Sequence, residues 1–420
     1  MADESVPEPP PGPGRLPRKA FSAFRHRNYR LFFFGQLISV IGTTMQGTAL
    51  PLLVYTTTGS ALWLGIVAAL SQLPSFFFSV LGGAVVDRLP KRALIIATQS
   101  TAMFLAFLLA ALVHWHVVQL WHICAIAIGS GLVLAIDIPA RQSFVVDMVG
   151  HEDLMNAIAL NSSCFNLGRI FGPVSAGYLS LIGMDWCFFL NGVSFIAVII
   201  GLLLMRLPKW QHGQTRPPIL AHIAEGFRYV RGQPRIMIVL LMMATAAIFG
   251  LSYQTLNAVF AVTILKAGSP GLGFMYGATG LGALAATLIL ASRQRPTWTL
   301  LFGVMLALTA ALYGYGLSGI FPLSLAILFF VGGCSVAFMI TCNTTIQLAS
   351  PYEMRGRVLG LYSMAFVGLQ PFGSLLAGVL AHYQGAPRAV CFGAAVCGVV
   401  ALSLGIWLKV RRAKIGSAVA

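Results

Sequence analysis

The sequence predicts an all-α membrane protein: twelve transmembrane helices in two pseudo-symmetric six-helix bundles. Three observations predict it. The 420 residues are 58% hydrophobic and 9% charged, with a mean hydropathy of +0.84, where a soluble domain carries about 25% charged residues. Apolar runs of about 20 residues, the length that crosses a bilayer, recur along the chain. The two halves also superpose under a shift of 201 residues, which places Arg30 on Arg231, Glu152 on Glu353, Leu160 on Leu361, Phe165 on Phe366, Gly172 on Gly373 and Ala176-Gly177 on Ala377-Gly378.

The opening stretch, MADESVPEPPPGPGRLPRK, lacks an apolar run and is rich in proline. Residues 1–29 therefore read as a disordered cytosolic tail. The spans follow at 30–56, 61–86, 93–113, 118–140, 156–181 and 184–206, then at 235–264, 270–292, 297–317, 320–346, 357–382 and 386–408. Residues 207–234 form a linker between the halves, and 409–420 a second cytosolic tail. Within the linker, Ile219, Ile223, Phe227 and Val230 share one helical face, with His222, Glu225 and Arg228 off it. That pattern fits an amphipathic helix on the inner membrane surface or a helix packed on the base of the bundle.

An even number of spans places both termini on one side. If that side is cytoplasmic, it carries every one of the 27 Lys and Arg residues except Lys266, Arg388 and Arg169. Basic residues are retained on the cytoplasmic side during insertion. Membrane orientation thus accounts for the net charge of +16, and nucleic acid is not an expected partner. The seven cysteines (Cys124, Cys164, Cys187, Cys334, Cys342, Cys391, Cys397) are scattered without a CxxC pair and read as packing residues. His114, His116 and His122 cluster at an outer loop, where a surface location explains them without a metal. No phosphate-binding glycine loop, zinc signature or nucleophile elbow occurs, so neither ATP-driven transport nor an enzyme is expected.

Two polar stripes predict a central cavity. Gln36, Ser39, Thr43 and Gln46 share one face of the first span, and Ser130, Asp137 and Arg141 one face of the fourth. Asp137 is the acid placed within a span, either paired with Arg141 or carrying a proton. In the fifth span, "NLGRIFGP" (166–173) sets Arg169 beside a Gly-Pro pair. Counted from residue 156, Arg169 lies about 20 Å up the helix, near the middle of a roughly 30 Å core. A charge there costs roughly 2.5–3.5 kcal/mol, so it must face the bundle interior or an aqueous cavity. Tied to backbone carbonyls, it would stiffen a gate. Left open, it would attract an anionic part of a substrate. The 201-residue shift sets the neutral Gln370 opposite it.

Several motifs resemble a known family. "GGAVVDRLPKRA" resembles the signature loop of the major facilitator superfamily at Gly83, Asp87, Arg88, Lys91 and Arg92, which in that family latches the two halves at the cytoplasmic side. Gly168, Gly172, Pro173 and Gly177 resemble the antiporter motif of its fifth span. "FRHRNYRLFFFGQLISVIGTTMQGTALPLLVYTTTGSALWLG", "PARQSFVVDMVGHEDLMNAIALNSSCFNLGRIFGPVSAGYL" and "AEGFRYVRGQPRI" look like the bacterial branch that includes the enterobactin exporter and macrolide-efflux-like proteins. The resemblance implies a cavity lined by spans one, four, seven and ten, which adds Tyr253, Gln254, Asn257, Asn343 and Thr344 as candidates. It implies secondary export of a small amphipathic, siderophore- or drug-like compound across the bacterial inner membrane by alternating access. The expected energy source is the proton gradient, with no cofactor, and the expected functional unit is a monomer. Thr43 stands where many relatives place an acid after glycine. Translocation of a lysophospholipid between leaflets is the alternative cargo; a non-transporting sensor or assembly partner is the alternative class.

Overall fold

The computed structural model of the protein describes residues 21–150, 152–206, 219–291 and 297–417, almost entirely helical and without a strand among them. The first bundle comprises α1 (Arg27–Thr58), α2 (Ala61–Arg88), α3 (Lys91–His114), α4 (Leu120–Val149), α5 (Leu154–Leu179) and α6 (Met184–Leu203). A linker helix, Ile219–Arg231, leads to the second bundle: α7 (Pro234–Ile264), α8 (Gly268–Ala291), α9 (Trp298–Leu317) and α10 (Phe321–Ala349). Next comes α11, whose Tyr352–Ser363 and Gln370–Gln384 segments join through a π-turn at Met364–Gly368. α12 (Ala386–Ser417) completes the bundle. Two further π-turns, Ala246–Gly250 and Phe260–Ile264, interrupt α7.

Eleven of these helices are long and apolar enough to cross a membrane, among the described residues. The twelfth, α5, is 26 residues long but carries Asn156, Asn161, Ser162, Ser163, Asn166 and Arg169. It is accommodated by the bundle rather than by lipid. The expected tails also prove shorter. Residues 21–29 belong to the fold, because Ala23 donates its backbone N–H to Asn156 Oδ1 at 3.0 Å and the Tyr29 hydroxyl donates to Ala157 O at 2.9 Å. Residues 1–20 lie outside the described ones. At the other end, α12 continues past residue 408 to Ser417, since Lys409, Val410, Arg411, Arg412 and Ala413 contain no helix breaker.

Packing separates into three cores. One is shared by both halves: Met45, Leu52, Val67 and Phe188 from the first, Leu256, Phe260, Leu328 and Val390 from the second. It lies at the end where α1 finishes and α2 begins. At the opposite end, which carries the starts of α1 and α7, the halves keep separate cores, one around Tyr29, Phe144, Ala157 and Leu202 and the other around Val230, Met242, Phe338 and Val358. The halves thus meet at one end and part at the other, leaving a crevice open at the basic end.

The shared end is closed by backbone approach. A Cβ on Gly273 of α8 would fall 2.5 Å from the Pro173 carbonyl oxygen of α5, and one on Gly177 would fall 3.0 Å from Ser269 O. The matching seam joins α2 to α11, where a Cβ on Gly65 would lie 2.6 Å from Ser374 O and 2.9 Å from the Gly378 Cα. Gly177 and Gly378 are 201-residue counterparts and do the same work in the two seams. Gly172 and Gly373, also counterparts, pack α5 on α1 and α11 on α7: a side chain on Gly172 would strike Thr44, and one on Gly373 would fall 2.5 Å from Ile248 O, within the first π-turn of α7. Only glycine lets helix axes come this close.

The linker helix is docked on the second bundle. Val230 is 1% exposed and lies in that bundle's core, and Glu225 pairs with Arg357 of α11 at 2.8 Å. The 201-residue shift relates Tyr29 to Val230, Asn156 to Arg357 and Ala157 to Val358, all at equivalent contacts. The linker helix therefore repeats what residues 21–29 do in the first bundle: each braces the start of the fifth helix of its half. Of the two expected placements, the structure has the packed one.

Val230→Asp should lower the unfolding midpoint of the detergent-solubilised protein by far more than Phe227→Asp, because it buries an unpaired charge whereas Phe227 is half exposed. A membrane-surface helix would give the reverse order. The Asp153 carboxyl is held below the ordinary carboxylate range by hydrogen bonds from Ser22, then His26. The bracing of Ser22–His26 is thus complete above that range and should be lost as pH falls through the depressed value. A spin label at Phe21→Cys should gain mobility in that acid window and not before it.

Candidate substrate cavity

A cavity of about 460 Å³ lies inside the first bundle. All seven residues of the two predicted stripes line it: Gln36, Ser39, Thr43 and Gln46 of α1, and Ser130, Asp137 and Arg141 of α4. Phe32, Leu134, Ile138, Phe165 and Phe195 supply its apolar wall. Gln99 of α3, Asn161 of α5 and Asn191 of α6 line it as well. These were missed in the sequence, where Gln99 and Asn161 sit in short polar runs and Asn191 stands alone in an apolar one. Asn191 donates to Gln46 Oε1 at 2.7 Å. Gln36 Oε1 and Gln99 Oε1 are buried acceptors with no donor among the described residues. The site therefore combines apolar walls with a few convergent polar groups, as small-molecule pockets do.

At its floor, Asp137 is 6% exposed. Its Oδ1 accepts from the Thr98 hydroxyl at 2.7 Å and from Gln99 Nε2 at 3.0 Å, and its Oδ2 accepts from Arg141 Nε at 2.6 Å. The arrangement ties α3 to α4 and neutralises Arg141 one helical turn away.

The second bundle contributes differently from expectation. Tyr253 and Asn257 are buried core residues: the Tyr315 hydroxyl donates to Asn257 Oδ1 at 2.9 Å, and the Tyr253 ring meets the Tyr315 ring edge-on at 6.0 Å. Neither lines the cavity, and neither do Gln254, Asn343, Thr344 or Gln370. Asn343 Oδ1 accepts from Gln347 at 2.5 Å, Thr344 bonds back to Ile340 O, Gln254 is exposed and Gln370 half-buried. This cavity is thus lined by α1, α3, α4, α5 and α6.

In the α2–α3 loop, Lys91 pairs with Asp147 at 2.8 Å and Arg92 donates to Leu203 O at 2.8 Å. Both contacts stay within the first bundle. Arg88 is exposed; the side chains of Gly83 and Asp87 lie outside the described residues. His114 pairs with Asp185 at 2.9 Å at the shared end, and the His122 ring caps α4.

Arg169 sits fifteen residues into α5, about 22 Å along it at 1.5 Å per residue, and is exposed. It donates no hydrogen bond among the described residues. Pro173 has no N–H to give the Arg169 carbonyl. That freed oxygen faces α8, where a Cβ on Gly280 would lie 3.1 Å from it.

Comparison with known proteins decides the family. The family model for transmembrane secretion effectors matches residues 18–418. The chain belongs to the transmembrane secretion effector family. This secretion effector is 26% identical over 397 residues to the enterobactin exporter EntS of Shigella flexneri, covering 91% of this chain and 93% of the relative. It is 25% identical over 400 residues to EntS of Escherichia coli O127:H6, with the same coverage. Among solved structures it shares the fold of a bacterial homologue of the human lysosomal transporter Spinster (TM-score 0.66, 14% identity, 94% and 96% of the two chains). It likewise shares the fold of the nucleoside transporter NupG (TM-score 0.72, 12% identity, 91% and 99%). The effector has the major facilitator fold.

Asp137→Asn should destabilise the protein by about 3–5 kcal/mol, the cost of breaking a buried ion pair from one side. Asp137→Asn combined with Arg141→Gln should recover part of that loss. Thermal unfolding of the single and double variants measures the coupling.

Proposed function

We propose that this major facilitator efflux protein exports a small amphipathic organic compound across the bacterial inner membrane by alternating access, driven by proton entry. The observation that carries the reading is the division of the core: one shared by both halves at one end, two separate at the other. Bistable packing of this kind is what a carrier needs to expose one site to two sides in turn. With both termini cytoplasmic, as the basic residues favour, the crevice opens to the cytoplasm and the glycine seams close the outer side. The cavity beside that crevice, apolar-walled with amide and hydroxyl groups, suits an amphipathic cargo taken up from the inner side.

Proton coupling has two candidate groups. Asp137 would have to release Arg141 before taking a proton, which makes the pair a switch between a closed, ionised floor and a loosened, protonated one. Asp87, at the end of α2 beside the basic loop, is the second.

In proteoliposomes with an imposed pH step, accumulation of the transported compound should collapse when a protonophore is added. Gradient-independent movement would instead favour a uniporter or a lipid translocator. Asp87→Asn should reduce the transport rate severalfold at matched protein density while leaving insertion intact, and an unchanged rate would make Asp87 a solvated loop acid.

A further inference from the structure

The geometry points to organic anions as the cargo, with Arg169 as the group that selects them; the inference rests on the export reading and deepens it. The argument begins with charge pairing. The chain has 11 acidic residues against 27 basic ones. Among the described side chains, Asp137 is committed to Arg141, Asp147 to Lys91, Asp153 to His26, Asp185 to His114 and Glu225 to Arg357. Glu152 is exposed at the basic end, next to the start of α5. No described acid within a span is left to meet Arg169.

Position adds the second step. Arg169 continues the exposed face of α5 formed by Met155, Ile158, Ser162 and Phe165, four of them spaced at three or four residues along the crevice-side stripe. The opposite flank of α5 is occupied by α1, through Gly168 against Val40 and Gly172 against Thr44. Beyond Arg169 the helix closes on α8 at Pro173 and Gly177. The guanidinium is therefore at the closed apex of the crevice, where the two halves begin to touch. Across the seam, Tyr253 of α7 is buried, Gln254 beside it is exposed, and Gln370, the 201-residue counterpart of Arg169, is half-buried in α11. All three are neutral.

A cation at mid-membrane depth, with no acid among the described side chains left to pair with it, repels cationic cargo and gains a partner when an anion arrives. Its planar fork also suits a carboxylate or sulfonate in two-point contact. The charge of Arg141, by contrast, is already paired with Asp137. An amphipathic anion would place its charged end at the apex and its apolar part along Ile158 and Phe165.

The test uses three probes that differ only at one end: dansyl-aminooctanoic acid, its methyl ester, and the corresponding dansyl-diaminooctane. Binding to the purified full-length protein is followed by dansyl fluorescence, and movement of the same probes is followed in proteoliposomes. The wild-type protein should bind the acid about tenfold more tightly than the ester, the effect of one charge-assisted contact, and should bind the amine least. Arg169→Gln should bind acid and ester alike, and Arg169→Lys should keep part of the preference. Equal binding of acid and ester by the wild type, tighter binding of the amine, or an intact preference in Arg169→Gln would overturn the inference. If Arg169→Gln loses the ester too, Arg169→Lys decides: a residual preference supports the inference and none overturns it. A preference for the acid without movement of any probe would sink the export reading and leave the anion site standing. Movement of the amine in preference to the acid would do the opposite.

Discussion

Backbone touching backbone across the two halves is the constraint from which the rest of this structure follows. At the α5–α8 and α2–α11 seams, glycines and a proline carbonyl occupy the space that side chains fill elsewhere. Contacts of that kind depend steeply on distance, since dispersion and Cα–H···O contacts fade within about an ångström. They hold firmly when closed and contribute little once parted. Because they are confined to one end, the halves can share a core there and keep independent cores at the other. Each half must then be stable alone at its basic end. Residues 21–29 and the linker helix supply that stability by bracing α5 and α11 in the same way.

The two halves resemble each other in frame and differ in content. Asp137 and Arg141 form the polar floor of the first-half cavity; their 201-residue counterparts, Phe338 and Cys342, are buried in the apolar core of the second half. Asn257, which keeps its polar group, spends it on Tyr315. At these positions one bundle has kept polar side chains while the other has been filled with apolar ones. The π-turns of α7 and α11 belong to the filled half: Gly373 packs against Ile248 within one, and Gly368 of another lies against Phe76 of α2. The widened turns let helices with large apolar side chains retain close contact with their neighbours.

Much of this was legible in the sequence, and the limits have physical causes. Span positions follow from apolar length, and the repeat was visible because Gly172, Gly373, Gly177 and Gly378 occupy contacts that tolerate no other residue. The α1 and α4 stripes lined one cavity as expected because a helical face survives translation from sequence to space. The contacts of Tyr253 and Asn257 were not legible because both run to Tyr315, 58 residues from Asn257 along the chain, and helical phase cannot reveal a partner on another helix. The linker helix was ambiguous because a membrane surface and a protein surface demand the same amphipathic period. For α5 the difficulty was reversed: its polar residues lower its hydropathy below that of its neighbours, and only packing shows that α1 and α8 shield its flanks. The partners of Lys91 and Arg92 were likewise out of reach, since a positive-inside loop and a latch read alike.

The pairing of a charge with a proline in α5 becomes intelligible once both ends of Arg169 are considered together. Pro173 cannot donate to the Arg169 carbonyl, so an oxygen at mid-helix is left without its usual intrahelical partner. In an isolated membrane helix that would be costly. Here the freed oxygen faces the Gly280 backbone of α8, making the defect part of the seam between the halves. The side chain of the same residue is exposed. One residue therefore carries both a backbone oxygen in the α5–α8 contact and an exposed charge. Lysine would preserve the charge, and alanine at 173 would restore the hydrogen bond, but each would separate two properties that this segment combines in a single turn of helix.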